Sequence, residues 1–533
     1  MTACKMDNKN KLKKVSKPNY LTPNYNQDTF INICPQEQIL VGSFEYAIKY
    51  LIDKKLNLDL FDARYSNSST GRKAYPPAVL LKIIFLAYSM GITSSRTIEK
   101  LCRVHVTFMA LSGFVYPDHS TVSAFVSRLE NEIVDLFEQV LMICDEEGLI
   151  GKKMFAIDGC KLPSNASKES SGTHTELKKK SKRLRTAVKR MVKKHKEQDA
   201  GFSDEQIKQK EEKQIKKLNA QADRIDNFLN THEPRMGRRK KEVQSNITDN
   251  DSAKMQTSHG AIQGANGVAI GDSKNQIIMQ AEAFGQGSEQ SVLEPCIEDL
   301  QATLEKLNPG VKKEDTLNNS ILLADSGYHS EENLKHLSEQ NINSYIADNQ
   351  FRKRDPRFKD ADRFKTTKHG KKPTKKNKKF RVDDFIYDPE NSTCTCPAAK
   401  ALWLTSQNLI EKKDGSYYVF RGYEQDCKNC ELRKACLQKE DQQSPRAVAI
   451  RVEKAAPKNN HTARMKEKID SDEGRHIFSH RFGIIEPIFG NIRTTKGLDR
   501  FSMRGKGKIN AQWKLFCIIH NLEKINHYGT VIH

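Results

Sequence analysis

Two aspartates in this 533-residue chain each follow a short apolar run and precede a glycine-bearing turn. In LLADSGYHSEENL, Asp325 ends the run Ile321–Ala324, and a helix is predicted to begin at Ser330. In MFAIDGC, Asp158 ends the run Met154–Ile157. Open sheets covered by helices bind their ligands at the carboxyl ends of strands. The pattern therefore predicts two strands that each end at a metal-binding or catalytic carboxylate.

A third acid, Glu486, lies in HIFSHRFGIIEPIFGNIRTTKG, a largely helical segment that Pro487 interrupts. Residues three and four apart share a helix face, so Glu486 is predicted to lie on the same side as Phe489 and Arg493. Arg481 adds a second guanidinium near the acid. This group suits a carboxylate that binds a metal ion while two arginines hold phosphates. The alternative is an ordinary ion-pair helix on the surface.

The segments around the two aspartates alternate between strand and helix patterns. Strands are predicted in SHGAIQGANGVAIGD, NQIIMQAEAFG, SILLAD and NSYIAD, and helices in SEQSVLEPCIEDLQATLEKL and SEENLKHLSEQ. With the strand before Asp158, the order is three strands, a helix, a strand, a helix and a strand. This order predicts an α/β fold with a ribonuclease H-like mixed sheet, built from residues 151–348 and 465–527.

The N-terminal part of the chain has a different pattern. Residues 1–35 are polar and predicted to be a mobile tail, whereas residues 36–148 have the periodicity of helices. Within them, PDHSTVSAFVSRLENEIVDLFEQVLMICDEEGL predicts one long helix with a continuous apolar face. Short helices joined by tight turns resemble a helix-turn-helix arrangement, so this domain either contacts DNA or is a helical support.

Two insertions are predicted to interrupt the sheet. Residues 168–243 include 11 Lys or Arg between Lys178 and Lys196, which predicts a charged helical hairpin that turns near Gly201. The hairpin is either a solvated spacer or a DNA-contacting arm. Residues 349–464 form a basic, Cys-bearing insertion, and positions 352–379 alone hold 14 Lys or Arg against three acids. That density suits phosphate contact or a basic linker.

Five of the twelve cysteines fall within residues 394–436. In CKNC, two thiolates have the spacing at which they can share one zinc ion. The predicted ligands of a structural zinc ion are Cys396, Cys427, Cys430 and Cys436. The alternative is a group of reduced cysteines without a metal.

The formal net charge of +22 and the pI of about 9.3 indicate a polyanionic partner, most often nucleic acid. The start of the chain has no apolar core of signal-peptide length, and the most hydrophobic run, AVLLKIIFLAYSM, is too short to cross a bilayer. Twelve cysteines in a chain this long do not form a small secreted disulfide framework. The expectation is a cytoplasmic, nucleoid-associated protein that makes no membrane contact.

Three motifs carry a resemblance to a known family: AIDGCKLPSNAS, LLADSGYHSEENL and FSHRFGIIEPIFGNIRTTKGLDRFSMRGKGKINAQWKLFCIIHNLEKI, in that order. They resemble bacterial insertion-sequence transposases of the DDE type, in the branch with a Tyr-Arg-Glu-Lys signature. The resemblance implies that Asp158, Asp325 and Glu486 are catalytic and bind two Mg²⁺ or Mn²⁺ ions. It also implies that Gly159 and Gly327 leave room for a DNA backbone.

The same resemblance implies DNA contacts by Arg481, Arg493 and Phe478. Phe478 stands where the signature has Tyr, and Arg493 stands where it has Lys, so a flexible ammonium is replaced by a planar fork. The implied function is to bind the inverted ends of an insertion sequence, cleave them, and join the 3′ ends to target DNA, as a homodimer. The alternatives are a decayed, non-catalytic DNA-binding relative and a general nuclease of ribonuclease H type.

Overall fold

The computed structural model describes residues 34–65, 73–198, 205–237, 241–257, 260–358, 379–412, 415–437, 442, 444–454 and 460–530. Three predictions fall wholly or largely outside these ranges: the tail of residues 1–35 except its last two residues, the hairpin turn at Gly201, and positions 359–378 of the basic run.

Helices make up most of the described N-terminal region: α1 (Pro35–Gln38), α2 (Phe44–Lys54), α3 (Pro77–Ser89), α4 (Ser95–Val104), α5 (Val106–Ser112), α6 (His119–Ser127) and α7 (Glu132–Glu146). The prediction of one long helix is wrong, because the chain turns between α6 and α7. The last turn of α6 closes with short-range bonds, from Arg128 N to Phe125 O and from Leu129 N to Val126 O. The turn buries Leu129 completely in the core.

The main sheet and the elements around it follow in the chain as β1 (Met154–Pro163), β2 (Ser171–Gly172), α8 (His174–Gln198), α9 (Glu205–Thr231), β3 (Ser245–Asn246), β4 (Ala253–Thr257), β5 (Gly260–Asp272), β6 (Ile278–Phe284), α10 (Leu293–Leu307), β7 (Ile321–Ala324), α11 (Glu331–Glu339), β8 (Asn343–Ile346) and α12 (Phe351–Arg354). The strand order is β4-β5-β1-β7-β8, and β6 pairs with β5. Strands β4, β1 and β6 pair antiparallel with β5, whereas β1, β7 and β8 are parallel to one another. The result is a mixed sheet.

Strand β1 is longer than the sequence predicts. It continues past Asp158 to Pro163, because its antiparallel partner β5 pairs with it along the whole length, from Phe155 opposite Asp272 to Pro163 opposite Gly264. The prediction that this strand ends at Asp158 is therefore wrong. What ends there is the parallel pairing with β7, whose last pair is Ile157 with Ala324.

Helices α8 and α9 pack against each other and leave the sheet between β1 and β4. Arg185 on α8 forms an ion pair with Asp226 on α9, with Nη2 and Oδ2 2.5 Å apart, and Ser181 Oγ donates to the same carboxylate at 2.6 Å. Leu177, Ile225 and Phe228 form a separate small core at the base.

The Cys-bearing segment forms a second sheet with its own small core. Its elements are β9 (Ile386–Asp388), β10 (Thr393–Thr395), β11 (Ala401–Leu404), β12 (Ile410–Lys412), β13 (Gly415–Arg421), α13 (Glu424–Lys428), α14 (Arg433–Cys436) and β14 (Ala447–Lys454). Phe385, Cys394, Leu402, Phe420 and Val448 are among its buried residues. We call this sheet with its two short helices the Cys module.

The chain ends in α15 (His461–Asp470), α16 (Asp472–Gly490), a π-helical turn (Asn491–Thr495) and α17 (Lys506–Tyr528). Side chains on α17 bond to the sheet backbone: Trp513 Nε1 donates to Val268 O at 2.9 Å, and Asn521 both accepts from and donates to the backbone of Ile278. The ring of Phe516 lies 5.2 Å from that of Tyr88 on α3. The N-terminal helices and the main sheet therefore share one hydrophobic core.

Among the described helices, none has the length and apolar character that crossing a bilayer requires.

Candidate active site

Asp158 and Asp325 lie side by side. The parallel strands β1 and β7 pair up to Ile157 opposite Ala324, so the next residue on each strand is one of the two aspartates. Burial is the largest cause that raises the pKa of Asp158 to about 6, and the negative charge of Asp325 also raises it, whereas Arg481 opposes the shift. The structure thus brings together two of the three predicted acids. We call this pair the acid site.

Backbone groups orient both carboxylates. The N–H of Gly159 donates to Asp158 Oδ1 at 2.7 Å, and the N–H of Gly327 donates to Asp325 Oδ1 at 2.8 Å. The prediction that these glycines leave open room is wrong, because protein side chains fill the space. A Cβ on Gly159 would lie 2.7 Å from Asn266 Oδ1, and a Cβ on Gly327 would collide with Glu289 Oε2.

Arg481 joins the acid site to Glu486. Its side chain is buried, and Nη1 donates to Asp158 Oδ2 at 2.8 Å. Its Nη2 lies 4.0 Å from Glu486 Oε1, and the guanidinium also stacks over the ring of Phe482, 5.0 Å from the centroid. The buried guanidinium therefore compensates the charge of Asp158, as a buried carboxylate requires.

Glu486 lies on α16, as predicted, and the helix continues through Pro487. Its side chain is 57% exposed. Within the described residues, no group of three or more His, Cys, Asp or Glu side chains could hold a metal ion. The two carboxylates of the acid site fit a hard divalent cation by donor type, because Mg²⁺ and Mn²⁺ prefer oxygen ligands. Glu486 lies beyond Arg481, so the three-acid set is not assembled in this structure.

The other predicted site residues lie in two surface depressions. Phe478 is buried against Phe351, at 5.3 Å between ring centroids, in the wall of a cavity of about 520 Å³ that Asp325 also lines. Four arginines line the same cavity: Arg352, Arg357, Arg475 and Arg481. The exposed Arg493 lines a separate groove together with Glu486. Both depressions combine acidic and basic side chains, as a site for metal-assisted phosphate chemistry requires.

The predicted zinc ligands also lie together. Cys396, Cys427, Cys430 and Cys436 line one cavity of about 40 Å³ in the Cys module. Burial raises the pKa of Cys436, Arg446 lowers it, and the other three thiols raise it. Cys394 is instead fully buried in the core of the module. The four thiols face a common space, but in the described part of the chain they do not reach ligating geometry.

Sequence reasoning missed Glu289, Lys161 and Tyr328. Glu289 lies in a 3₁₀ turn (Glu289–Ser291) between β6 and α10, and it forms an ion pair with Lys161 on β1 at 2.9 Å. Tyr328 follows Asp325 by three positions and is completely buried. The available signal is the position of Glu289 shortly after the strand β6, but the sequence SEQSV by itself predicts only the start of a helix.

The structure has a mixed α/β fold with a helical N-terminal region, and two carboxylates lie where the parallel pairing of β1 and β7 ends. This architecture is consistent with a DDE transposase. A family model described as "Transposase DDE domain" matches residues 395–526, and one described as "Transposase domain (DUF772)" matches residues 34–128. These matches indicate an insertion-sequence DDE transposase family, and such a family implies DNA as the partner. A comparison with curated proteins finds no match.

The two matched ranges divide the predicted site. The DDE match contains Glu486, Arg481 and the four cysteines of the cavity, and it begins after both Asp158 and Asp325. The assignment of the aspartates therefore rests on their positions in the sheet.

The raised pKa of Asp158 makes a prediction for stability. In the folded chain this carboxyl binds its proton up to about pH 6, above its ordinary value of 3.8. The contribution of Asp158 to the free energy of unfolding therefore falls as pH rises from about 4 to about 6. Asp158→Asn removes this titration. Between about pH 4 and pH 6, the free energy of unfolding of the variant should therefore rise relative to that of wild type by up to about 3 kcal/mol. Urea unfolding of both proteins in EDTA, at pH values between 4 and 7, measures it. A stability difference that does not change with pH would contradict it.

Proposed function

We propose that this protein is a DNA transposase with a ribonuclease H-like sheet, which binds the ends of its insertion sequence, cleaves phosphodiester bonds with two divalent metal ions and joins the 3′ ends to target DNA. The observation that carries the proposal is the acid site at the end of the parallel pairing of β1 and β7, in a chain that carries transposase domains. Asp158, Asp325 and Glu486 are the proposed catalytic acids.

The acid site and Glu486 would hold the metal ions. When bound, such ions polarise the scissile phosphate and activate a water or a 3′-hydroxyl. Asp158 and Asp325 are oriented for this task by the backbone N–H groups of Gly159 and Gly327. Arg481, buried between Asp158 and Glu486, compensates the charge of Asp158 and could hold a phosphate of the DNA when a cation takes its place beside that acid.

Basic surfaces support DNA as the partner. The cavity beside Asp325 carries four arginines, and α8 presents exposed Lys and Arg over much of its length. Such residues bind phosphates without reading sequence, so they would position the DNA rather than select it. We further propose that the protein acts as a homodimer, so that both ends of the element are held in one complex.

A second candidate is a non-catalytic DNA-binding relative. It is favoured by one observation, the separation of Glu486 from the acid site in the described chain. It predicts salt-sensitive DNA binding without strand cleavage.

Incubation of the protein with Mg²⁺ and DNA from both flanks of its coding region tests the proposal. The expected result is cleavage at defined positions and joining of 3′ ends, both abolished by EDTA. A control DNA of the same length with scrambled flanks should be bound but not cut. Cleavage of both DNAs would indicate a general nuclease. Binding of both without cleavage would indicate the non-catalytic relative.

We also propose a structural zinc ion in the Cys module, supported by the four cysteines that line one cavity. Protein purified under reducing conditions without chelator should contain about one zinc per chain. Cys430→Ser should lower this content and destabilise the module, whereas Cys34→Ser, outside the module, should not. Metal analysis by mass spectrometry measures it. A zinc content near zero in the wild-type protein would remove this proposal and leave the transposase proposal untouched.

A further inference from the structure

A third carboxylate lies against the acid site. The side chain of Glu289 is only 15% exposed, and its Oε2 fills the position that a Cβ on Gly327 would take. Asp325 Oδ1 lies 3.0 Å from that same position. The carboxylates of Glu289 and Asp325 therefore approach each other beside Gly327, where there is no side chain to separate them. Two carboxylates this close repel each other unless a positive charge lies near them.

Tyr328 adds an independent observation. Its side chain is completely buried, and within the described part of the chain its hydroxyl has no hydrogen-bond partner. Burial raises the pKa of Tyr328 well above its ordinary value, and the charges of Asp158, Cys296, Glu289 and Asp325 raise it further. The backbone N–H of Tyr328 donates to Asp325 O at 3.2 Å, so the residue lies directly beside the acid site. A buried polar atom without a partner indicates a missing group at that point.

The positive charges around these acids follow a pattern. Arg481 pairs with Asp158 at 2.8 Å, and Lys161 pairs with Glu289 at 2.9 Å. Asp325 is close to both acids but forms no ion pair with any described residue. The charges of Asp158 and Glu289 are thus compensated by basic side chains of the protein, whereas Asp325, which lies between them, has no cation paired with it. A divalent ion beside Asp325 would complete this set of charges.

We propose that Glu289 is a further metal ligand at the acid site. When Glu289 releases Lys161, its carboxylate binds a divalent cation together with Asp325. The hydroxyl of Tyr328 then hydrogen-bonds to one of these carboxylates or to a water of the ion. This proposal deepens the proposed transposase function and rests on its metal site. Oxygen ligands from two carboxylates and water match the coordination that Mg²⁺ and Mn²⁺ prefer.

Binding of Mn²⁺ to the full chain without DNA, measured by electron paramagnetic resonance of the free ion, tests the proposal. Glu289→Gln should weaken binding by about tenfold, a typical loss when one group that supports a metal is removed. Lys161→Gln removes the same ion pair but frees the carboxylate, so its binding should be equal to or tighter than wild type. Glu298→Gln, an exposed glutamate on α10, is the matched control and should change nothing.

These variants separate a ligand from a merely structural ion pair. If Glu289→Gln and Lys161→Gln weaken Mn²⁺ binding equally, the pair is structural and the proposal is wrong. If Glu289→Gln binds as tightly as wild type while Asp325→Asn does not, the proposal fails and the acid site stands. If the wild-type chain takes up no Mn²⁺, both fail. Should Glu289→Gln not fold, Glu289→Asp withdraws the carboxylate by one methylene and must meet the same tenfold criterion.

Discussion

The substitution Asp325→Ala should lower the rate of end cleavage by at least about 10³-fold while DNA binding stays unchanged. Asp325 directly follows β7 and lies next to Asp158, and it is the acid of the site without an ion pair among the described residues. Its carboxylate is therefore the one most available to a metal ion. A metal that polarises the phosphate contributes several kcal/mol to the transition state, and each 1.36 kcal/mol corresponds to about a factor of ten in rate.

The rate of single-turnover cleavage with Mg²⁺, together with DNA affinity from a gel-shift titration, measures this effect. Asp299→Ala, an exposed acid on α10, is the control and should cleave as wild type does. The loss of the bond from Gly327 N to Asp325 Oδ1 should cost only about 1 kcal/mol of stability, so the variant should remain folded at assay temperature. If the alanine variant cuts as fast as wild type, Asp325 is not a catalytic acid.

The positions of Asp158 and Asp325 could be predicted because strand patterns are local. The two apolar runs before the acids pair in parallel up to Ile157 and Ala324, so the acid that follows each run lies beside the other. The extension of β1 could not be predicted in this way. In residues 159–163, Gly159 and Pro163 flank an alternation of only three residues, which is too short to predict a strand. The segment is extended because it pairs with β5, more than 100 positions away. Local periodicity carries no information about such a partner.

The charges around the acid site were also beyond sequence reasoning. The resemblance implies a DNA contact for Arg481, but its partner in the structure is Asp158, 323 positions away. Glu289 has no sequence signal because it lies in a short 3₁₀ turn, and its place at the site depends on contacts with Gly327 and Lys161, which are distant in the chain. An isolated helix pattern predicts which face a residue occupies, not which distant carboxylate it meets. Ion pairs between distant elements need the tertiary fold.

The buried network that connects the C-terminal helices could not be predicted from local sequence patterns either. Lys496 is fully buried after the π-helical turn, and its Nζ lies 2.5 Å from Glu523 Oε2 on α17. Asn491 donates to the same carboxylate at 2.9 Å and contacts His520, whose pKa burial lowers to about 3. His520 is therefore neutral at physiological pH. The network joins the end of α16, which carries Glu486, to the central helix of the core.

The substitution Lys496→Met should lower the free energy of unfolding by about 3 kcal/mol, because the partly buried Glu523 then has no cation beside it. Urea unfolding of the full chain measures the change, and Lys508→Met, an exposed lysine on α17, is the control expected to change little. Adding Glu523→Gln to Lys496→Met should recover part of the loss, because the unpaired charge is then gone. If the ion pair makes no net contribution to the free energy of unfolding, all these variants will instead be as stable as wild type. A recovery in the double variant would show that α16 is held in place by charge compensation and not by packing alone.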